Sequence, residues 1–276
     1  MNYETSQTLK LLDFKRYVGV QRSTFKRMLK ALDEQRLLAP RAGRIPTLSL
    51  AAQLLVALQY WREYRTYFHI AIDWKLSKST ICRIVHKALA QLMASGVFRL
   101  AGKKTLVRGF ERPTVVVIDV TESPIERPKR RQRHYYSGKK KCHTLKCQVL
   151  INQDSGAIIC LYFGKGRRHD FQLFKASGIH IHPETESLQD SGYQGIDKYH
   201  RNSYVPRKKP QQGELTSLEK DYNRQLSRER IGVEHVNGRL KVFKILAQRY
   251  RNRRRRYGLR CNLIAALYND ELAGAT

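Results

Sequence analysis

Residues 114–119 read TVVVID: five β-branched residues in a row, closed by a carboxylate. Two heavy atoms on Cβ crowd a helix but pack well on a pleated surface, so the run predicts a buried strand with Asp119 at its end. A carboxylate buried there is costly unless a cation or hydrogen bonds compensate it. Working outward, residues 143–152 and 157–165 read as two more strands, joined by Asp154-Ser155-Gly156, a good hairpin turn. A short helix over 170–176 follows. Ser187-Leu188-Gln189-Asp190 then brings a second acid to a strand end, and Gly192 behind it can take φ > 0. Residues 217–246 read as one long helix carrying Arg230, Glu234 and Lys241; offsets of 4 and 11 return to within about 40° of the starting direction, so the three share a face.

Upstream the texture differs. Residues 1–100 contain only Pro40 and Pro46, and their apolar residues recur at helical spacing. Ser23 is placed to cap a helix through Leu37, with Phe25, Met28, Leu29 and Leu32 on one face. PRAGRIP at 40–46 interrupts the pattern, and a second helix begins near Ser49 with Leu54, Leu55, Leu58 and Trp61 in a stripe. A helix over 66–73, a turn at 74–77 and a helix capped by Ser77 come next. The last buries Ile81, Ile84, Val85, Ala88, Leu89 and Leu92 and turns Lys78, Ser79, Thr80, Arg83 and Lys87 outward. This is a helix-turn-helix layout, in which short polar residues at the start of the second helix reach base edges and flanking cations neutralise phosphate. A three-helix bundle with a solvated polar face has the same pattern. The expected organisation is an α-helical domain over 1–100, a linker over 101–112 and an α/β domain over 113–276.

Charge bounds the function. Fifty-three Lys and Arg against 23 Asp and Glu leave +30 on 276 residues, with +14 up to Arg112 and +16 beyond it. So large a surplus resists compaction and points to a polyanionic partner, nucleic acid ahead of an anionic membrane surface, and argues against a small-molecule metabolic enzyme. No run of 18 apolar residues exists and the N-terminus has no signal pattern, so no membrane partner and a cytoplasmic location are expected. Five scattered cysteines argue against a disulfide scaffold. Cys142-His143-x3-Cys147 lacks a second ligand pair at zinc spacing.

Two Asp at strand ends and one Glu on a later helix are what a two-metal phosphoryl-transfer site needs: Mg²⁺ takes oxygen ligands, and two ions about 4 Å apart activate the attacking oxygen and stabilise the leaving one. Sixteen acids lie beyond Arg112, and spacing alone does not single out Asp119, Asp190 and Glu234 among them. Two basic runs stand apart: residues 127–141 hold eight Lys or Arg without an acid, around Tyr135 and Tyr136, and residues 249–256 hold six Arg. Both suit phosphate contact, and the tyrosine pair could stack on exposed bases.

Three segments in order carry a resemblance: IDVTESPIERPKRRQRHYYSGKKKCHTLK at 118–146, DSGY at 190–193, and Arg230-x3-Glu234-x6-Lys241. With Gly166-x2-His169-Asp170 and residues 62–87, they resemble the DDE transposases of bacterial insertion sequences, in the insertion sequence family five branch. The resemblance implies a ribonuclease-H-like mixed-sheet α/β catalytic domain preceded by an all-α helix-turn-helix domain. It implies Asp119, Asp190 and Glu234 as catalytic metal ligands and Arg230 and Lys241 as DNA contacts, with two Mg²⁺ or Mn²⁺ ions as cofactor. It further implies double-stranded DNA, element ends and target, as partner, a homodimer on DNA, and a bacterial, nucleoid-associated location. Ser227 stands where the family's fuller signature has tyrosine, which keeps open a catalytically inactive or domesticated DNA-binding regulator. His169 and Asp170 match a family motif near the metals, although such a pair more often caps the following helix.

Overall fold

The computed structural model describes residues 3–38, 46–108 and 112–274. In chain order the elements are α1 (Tyr3–Thr8), α2 (Leu11–Val18), α3 (Arg22–Leu38), α4 (Leu50–Glu63), α5 (Tyr67–Asp73), α6 (Lys78–Ala94), β1 (Val115–Pro124), β2 (Tyr136–Ser137), β3 (Cys142–Asn152), β4 (Ile158–Lys165) and α7 (Asp170–Ser177). They continue with β5 (Glu186–Leu188), β6 (Ser203–Tyr204), α8 (Ser217–Glu229), α9 (Ile231–Lys241), α10 (Lys244–Ala247) and α11 (Tyr257–Ala273). The chain packs as two units: 1–99 with 240–248 and 256–276, and 100–239 with 249–255.

The first unit is all helical. Local signals set its boundaries: the side chains of Ser49, Thr66 and Ser77 accept the backbone N–H groups of Ala52, His69 and Thr80, satisfying donors that a helix start leaves open. Leu54, Leu55, Leu58 and Trp61 of α4 and Ile81, Val85 and Leu92 of α6 are all buried, and Ile84 half-buried. The interruption expected at 40–46 lies, except for Pro46, outside the described residues. Two members of this unit, α10 and α11, break sequence order. Helix α11 brings Leu263, Ile264 and Leu267 into the helical core, and its acids pair with α2 and α3: Asp270 with Arg27 at 2.7 Å and Thr24 at 2.9 Å, Glu271 with Lys15 at 2.6 Å. Residues 113–276 are therefore not one packing unit.

The second unit is built on a mixed sheet. Strand β3 pairs antiparallel with β1 on one side and with β4 and β2 on the other; β1 then pairs parallel with β5, and β5 with β6. Three long antiparallel strands followed by short parallel ones, with helices beyond them, form the ribonuclease-H-like α/β arrangement. Residues 101–112 do not behave as a free linker. Leu106 is fully buried in a cluster with Val116, Ile118 and Leu150, and the backbone is tied through Gly102 N–H to Ile159 O and His182 N–H to Leu106 O. Residues 109–111 of that stretch lie outside the described residues.

Two expectations change. Asp119 is not at a strand end: β1 runs on to Pro124, because β3 is long enough to keep pairing it through Pro124↔Thr144. The single helix over 217–246 is three. The chain bends at Arg230, where Val233 N–H reaches back only three residues to Arg230 O, with Gly232 weakening the next turn. It turns again after Lys241, where Phe243 adopts an extended conformation and buries its ring.

Candidate active site and DNA-binding face

Register places the first two acids. Strands β1 and β5 are parallel, with Val117 opposite Leu188. Asp119 stands two residues further along β1, where it pairs with Val149 of β3, and Asp190 stands two residues past Leu188, just beyond the end of β5; Asp190 is near enough to raise the Asp119 carboxyl. Asp190 leaves its strand at once and caps a 3-10 turn, its Oδ1 accepting the Gly192 N–H at 2.9 Å. A Cβ on Gly192 would lie 2.9 Å from the same oxygen, so glycine is needed for room, and its φ is not in the left-handed region.

Helix α9 covers Asp119. Asn237 Nδ2 donates to Asp119 Oδ2 at 2.7 Å, and Arg230 Nη2 stands 3.7 Å from Oδ1. Burial pushes the Asp119 carboxyl above its ordinary range; Arg230 and the Val120 N–H pull it back, and Asp190 and Asp170 push it up further. The Tyr193 hydroxyl, fully buried and without a hydrogen-bond partner, is also raised, first by burial and then by Asp170, Asp119 and Asp190. A third aspartate therefore stands near the expected pair.

That aspartate comes from the Gly166–Asp170 motif. Asp170 opens α7 but makes no capping bond; it accepts Lys146 Nζ at 2.6 Å. Lys146, itself buried, stands 3.8 Å from Glu122, whose carboxylate also takes the Thr144 hydroxyl at 2.6 Å. Capping is thus the minor role of Asp170. Gly166 permits the close passage that brings the motif here: a Cβ on it would lie 2.2 Å from Thr144 Oγ1 and 2.5 Å from the Tyr135 carbonyl oxygen. Arg230 stands by Asp119, while Lys146 is shared by Asp170 and Glu122; Asp190 and Asp170 add negative charge that Asp119 feels.

Glu234 is not drawn into this group. It lies on α9 between Arg230 and Asn237, on the stripe that faces Asp119, and it is exposed. Among the described residues no three His, Cys, Asp or Glu form a ready-made metal cage. Cys142 and Cys147, five apart on β3, point to opposite faces of the strand. Lys241, exposed, ends α9, and Ser227 is exposed on α8. Sequence reasoning missed Asn237, an amide among charged neighbours; its helical offset of seven from Arg230 was the available signal.

The residues suit a divalent cation. All donors are hard oxygens; Asp119 is raised first by burial and further by Asp190 and Asp170, and Asn237 Oδ1 is buried and without a partner beside it.

On α6 the expected DNA face is present. Lys78, Ser79, Arg83 and Lys87 are exposed and Thr80 half-buried, held by the Ser77 hydroxyl at 2.9 Å. Arg83 lies over its own helix, its Nε 3.4 Å from Ser79 O.

Known proteins resemble both parts of the chain. Residues 118–269 match the DDE superfamily endonuclease family, and residues 46–96 match the helix-turn-helix of DDE superfamily endonuclease. The chain is 50% identical over 273 residues, 99% of each protein, to a Microchaete diplosiphon protein named "Probable transposase for insertion sequence element IS702". It is 26% identical over 235 residues, 83% of this chain and 84% of the other, to a Streptomyces albus G protein named "Putative transposase for insertion sequence element IS112". No solved structure matches.

Proposed function

The chain belongs to the DDE superfamily endonucleases, and from that premise we propose that it is an insertion-sequence transposase whose active site is Asp119, Asp190 and Glu234. The observation that supports the reading is Asp190, just past the strand that runs parallel to β1, acting on Asp119, which Asn237 of α9 and the preceding Arg230 also contact. Asp119, Asp190 and Glu234 would hold two Mg²⁺ or Mn²⁺ ions, which supply activation of the attacking oxygen and stabilisation of the leaving one. Arg230 now neutralises Asp119; with metal charge present, its guanidinium is available to a phosphate of the bound strand. Lys241, two turns beyond Glu234 on α9, extends that contact. Tyr193 stays protonated and packs under the acids, keeping water from their buried side. No covalent protein–DNA bond is required: water frees a 3′-hydroxyl at the element end, and that hydroxyl attacks the target phosphodiester.

Residues 1–100 form the DNA-binding part. Lys78, Ser79, Thr80, Arg83 and Lys87 on α6 read the element ends and neutralise adjacent phosphates. Cutting and joining two ends needs two such catalytic sites, hence a homodimer on DNA, in the bacterial cytoplasm with the nucleoid.

The test is cleavage and strand transfer on the gene's own flanking DNA with added Mg²⁺, comparing wild type with Asp119→Asn and Glu234→Gln. Each variant is expected to lose at least about a thousandfold in cleavage, the several kcal/mol that metal assistance supplies, while binding the ends as wild type does. Equal loss of end binding would make the residue structural. Specific binding without cleavage by wild type would identify a DNA-binding regulator instead, with Ser227→Tyr as the reversion to try.

A further inference from the structure

The two basic runs, more than 100 residues apart in sequence, meet in the second unit. Ile125 and Tyr250 form a parallel bridge, with the Tyr250 N–H donating to Pro124 O at 2.8 Å, and Arg254 lies over the ring of Tyr135 at 4.6 Å. Between them is a cavity of about 470 Å³. Five cations line it: Arg127, Lys129 and Arg130 from the first run and Arg253 and Arg254 from the second, against one acid, Glu126. Its floor is apolar and aromatic, made by Ile125, Pro128 and Tyr250.

Three features narrow the ligand. Cations around a recess select an anion, and so many of them select more than one phosphate charge. The volume lies within the roughly 300–1,000 Å³ of pockets that enclose a small ligand; a double helix can only lie across the mouth. The exposed Arg254 guanidinium, stacked on Tyr135, offers a flat surface for a base rather than for further phosphate, above a floor whose apolar residues are buried and close the recess. Backbone strain marks the same place. Arg253 and Arg254 both hold left-handed φ, 45° and 67°, where side chains other than glycine are disfavoured. That conformation aims two neighbouring guanidinium groups into one recess.

We infer that this pocket binds an unpaired nucleotide of a DNA strand, its base against the Arg254 guanidinium face and its flanking phosphates on the five cations. The inference rests on the chain being a DNA-cleaving transposase and gives the site for the strand that unpairs beside the cut. Binding is non-covalent and needs no metal.

The experiment uses the full-length protein without divalent metal. Anisotropy across a salt series measures binding to a fluorescent oligothymidine, to a duplex of matched length, and to that duplex with one unpaired nucleotide. Wild type is expected to prefer the interrupted duplex to the perfect one. The double variant Arg253→Gly/Arg254→Gly removes two cations and suits the left-handed backbone, so its thermal midpoint should hold; Arg253→Asn/Arg254→Asn, which also tolerates that conformation, is its companion. Both are expected to lower the salt slope on oligothymidine by about 1.4, two phosphates at about 0.7 each, to weaken that binding about tenfold at physiological salt, and to abolish the preference for the interrupted duplex. An unchanged slope, or equal losses on perfect duplex and single strand, would overturn the pocket. Because the readout is metal-free binding, a failure here leaves the cleavage assay standing, and a chain that cannot cleave still gives this result.

Discussion

Asp119 and Asp190 are held by a different kind of structure from Glu234. Asp119 lies within β1, and Asp190 directly follows β5, which pairs parallel with β1 up to Val117↔Leu188. Glu234 rides on α9, which reaches Asp119 through Asn237 at 2.7 Å; Arg230, just before that helix, stands at 3.7 Å. Backbone pairing with β3 holds β1 along its whole length; two side-chain contacts that an incoming charge can exchange hold the helix face to Asp119. The strand pair is thus preorganised, while the helix-borne part adjusts when charge in the site changes. The proposed site, which would admit a cation and a DNA strand together, would use that division.

Asn237→Ala tests the adjustable side and carries the largest effect of the tests that follow. Asn237 is buried, its Nδ2 orients Asp119, and its Oδ1 has no partner. Losing an outer orienting group typically costs 10–100-fold in metal affinity or activity. A loss of about that size is expected both in Mn²⁺ affinity, measured by electron paramagnetic resonance titration, and in cleavage, with end binding unchanged. Unaltered Mn²⁺ affinity would show that Asp119 is oriented by its strand alone, and the contrast between the two sides would collapse.

The same contrast governs what could be read from residues in order. Three helix starts of the first unit were legible because Ser49, Thr66 and Ser77 act within three residues of themselves, whereas α3 begins at Arg22 and Ser23, expected as its cap, lies inside it. TVVVID marked the strand and Asp-Ser-Gly turn chemistry at 154–156 the hairpin, but how far β1 extends depends on its partner β3. That Asp119 and Asp190, 71 residues apart, come near each other depends on the pairing of β1 with β5 and is invisible to any local pattern. Helix α11 joined the wrong part for a related reason: Leu263, Ile264 and Leu267 would suit either core, and only the pairing of Asp270 and Glu271 with Arg27 and Lys15 decides. Asp170 was misjudged as a cap because its partner, Lys146, lies on another element. Local legibility can itself be tested. Ser77→Ala removes the bond to the Thr80 N–H at 3.2 Å and should cost about 1 kcal/mol of stability by thermal melting. It should also weaken end binding modestly, since Lys78, Ser79 and Thr80 follow directly. No change in melting would mean that α6 is positioned by packing and the cap is incidental.

The smallest effect concerns the preorganised pair. Burial raises the Asp119 carboxyl above its unfolded value, Asp190 and Asp170 add to that rise, and Arg230 and the Val120 N–H pull against it. Between the ordinary carboxylate value, about 3.9, and the raised one, the folded protein binds more protons than the unfolded chain, so this group's contribution to stability falls as pH rises through that window. Above the window the charged carboxylate costs stability; below the ordinary value the cost is absent. Asp119→Asn imitates the protonated acid and can still accept the Asn237 bond through its own amide oxygen. In metal-free protein the variant should therefore be more stable than wild type at neutral pH, with the gap closing as pH falls into the ordinary carboxylate range. Added Mg²⁺ should close it at neutral pH as well, by stabilising wild type alone. Urea unfolding of both proteins along a pH series measures this. A gap of opposite sign would mean that Arg230 outweighs burial and that the strand pair is already neutralised by the helix, which would make α9, not the sheet, the fixed part of the site.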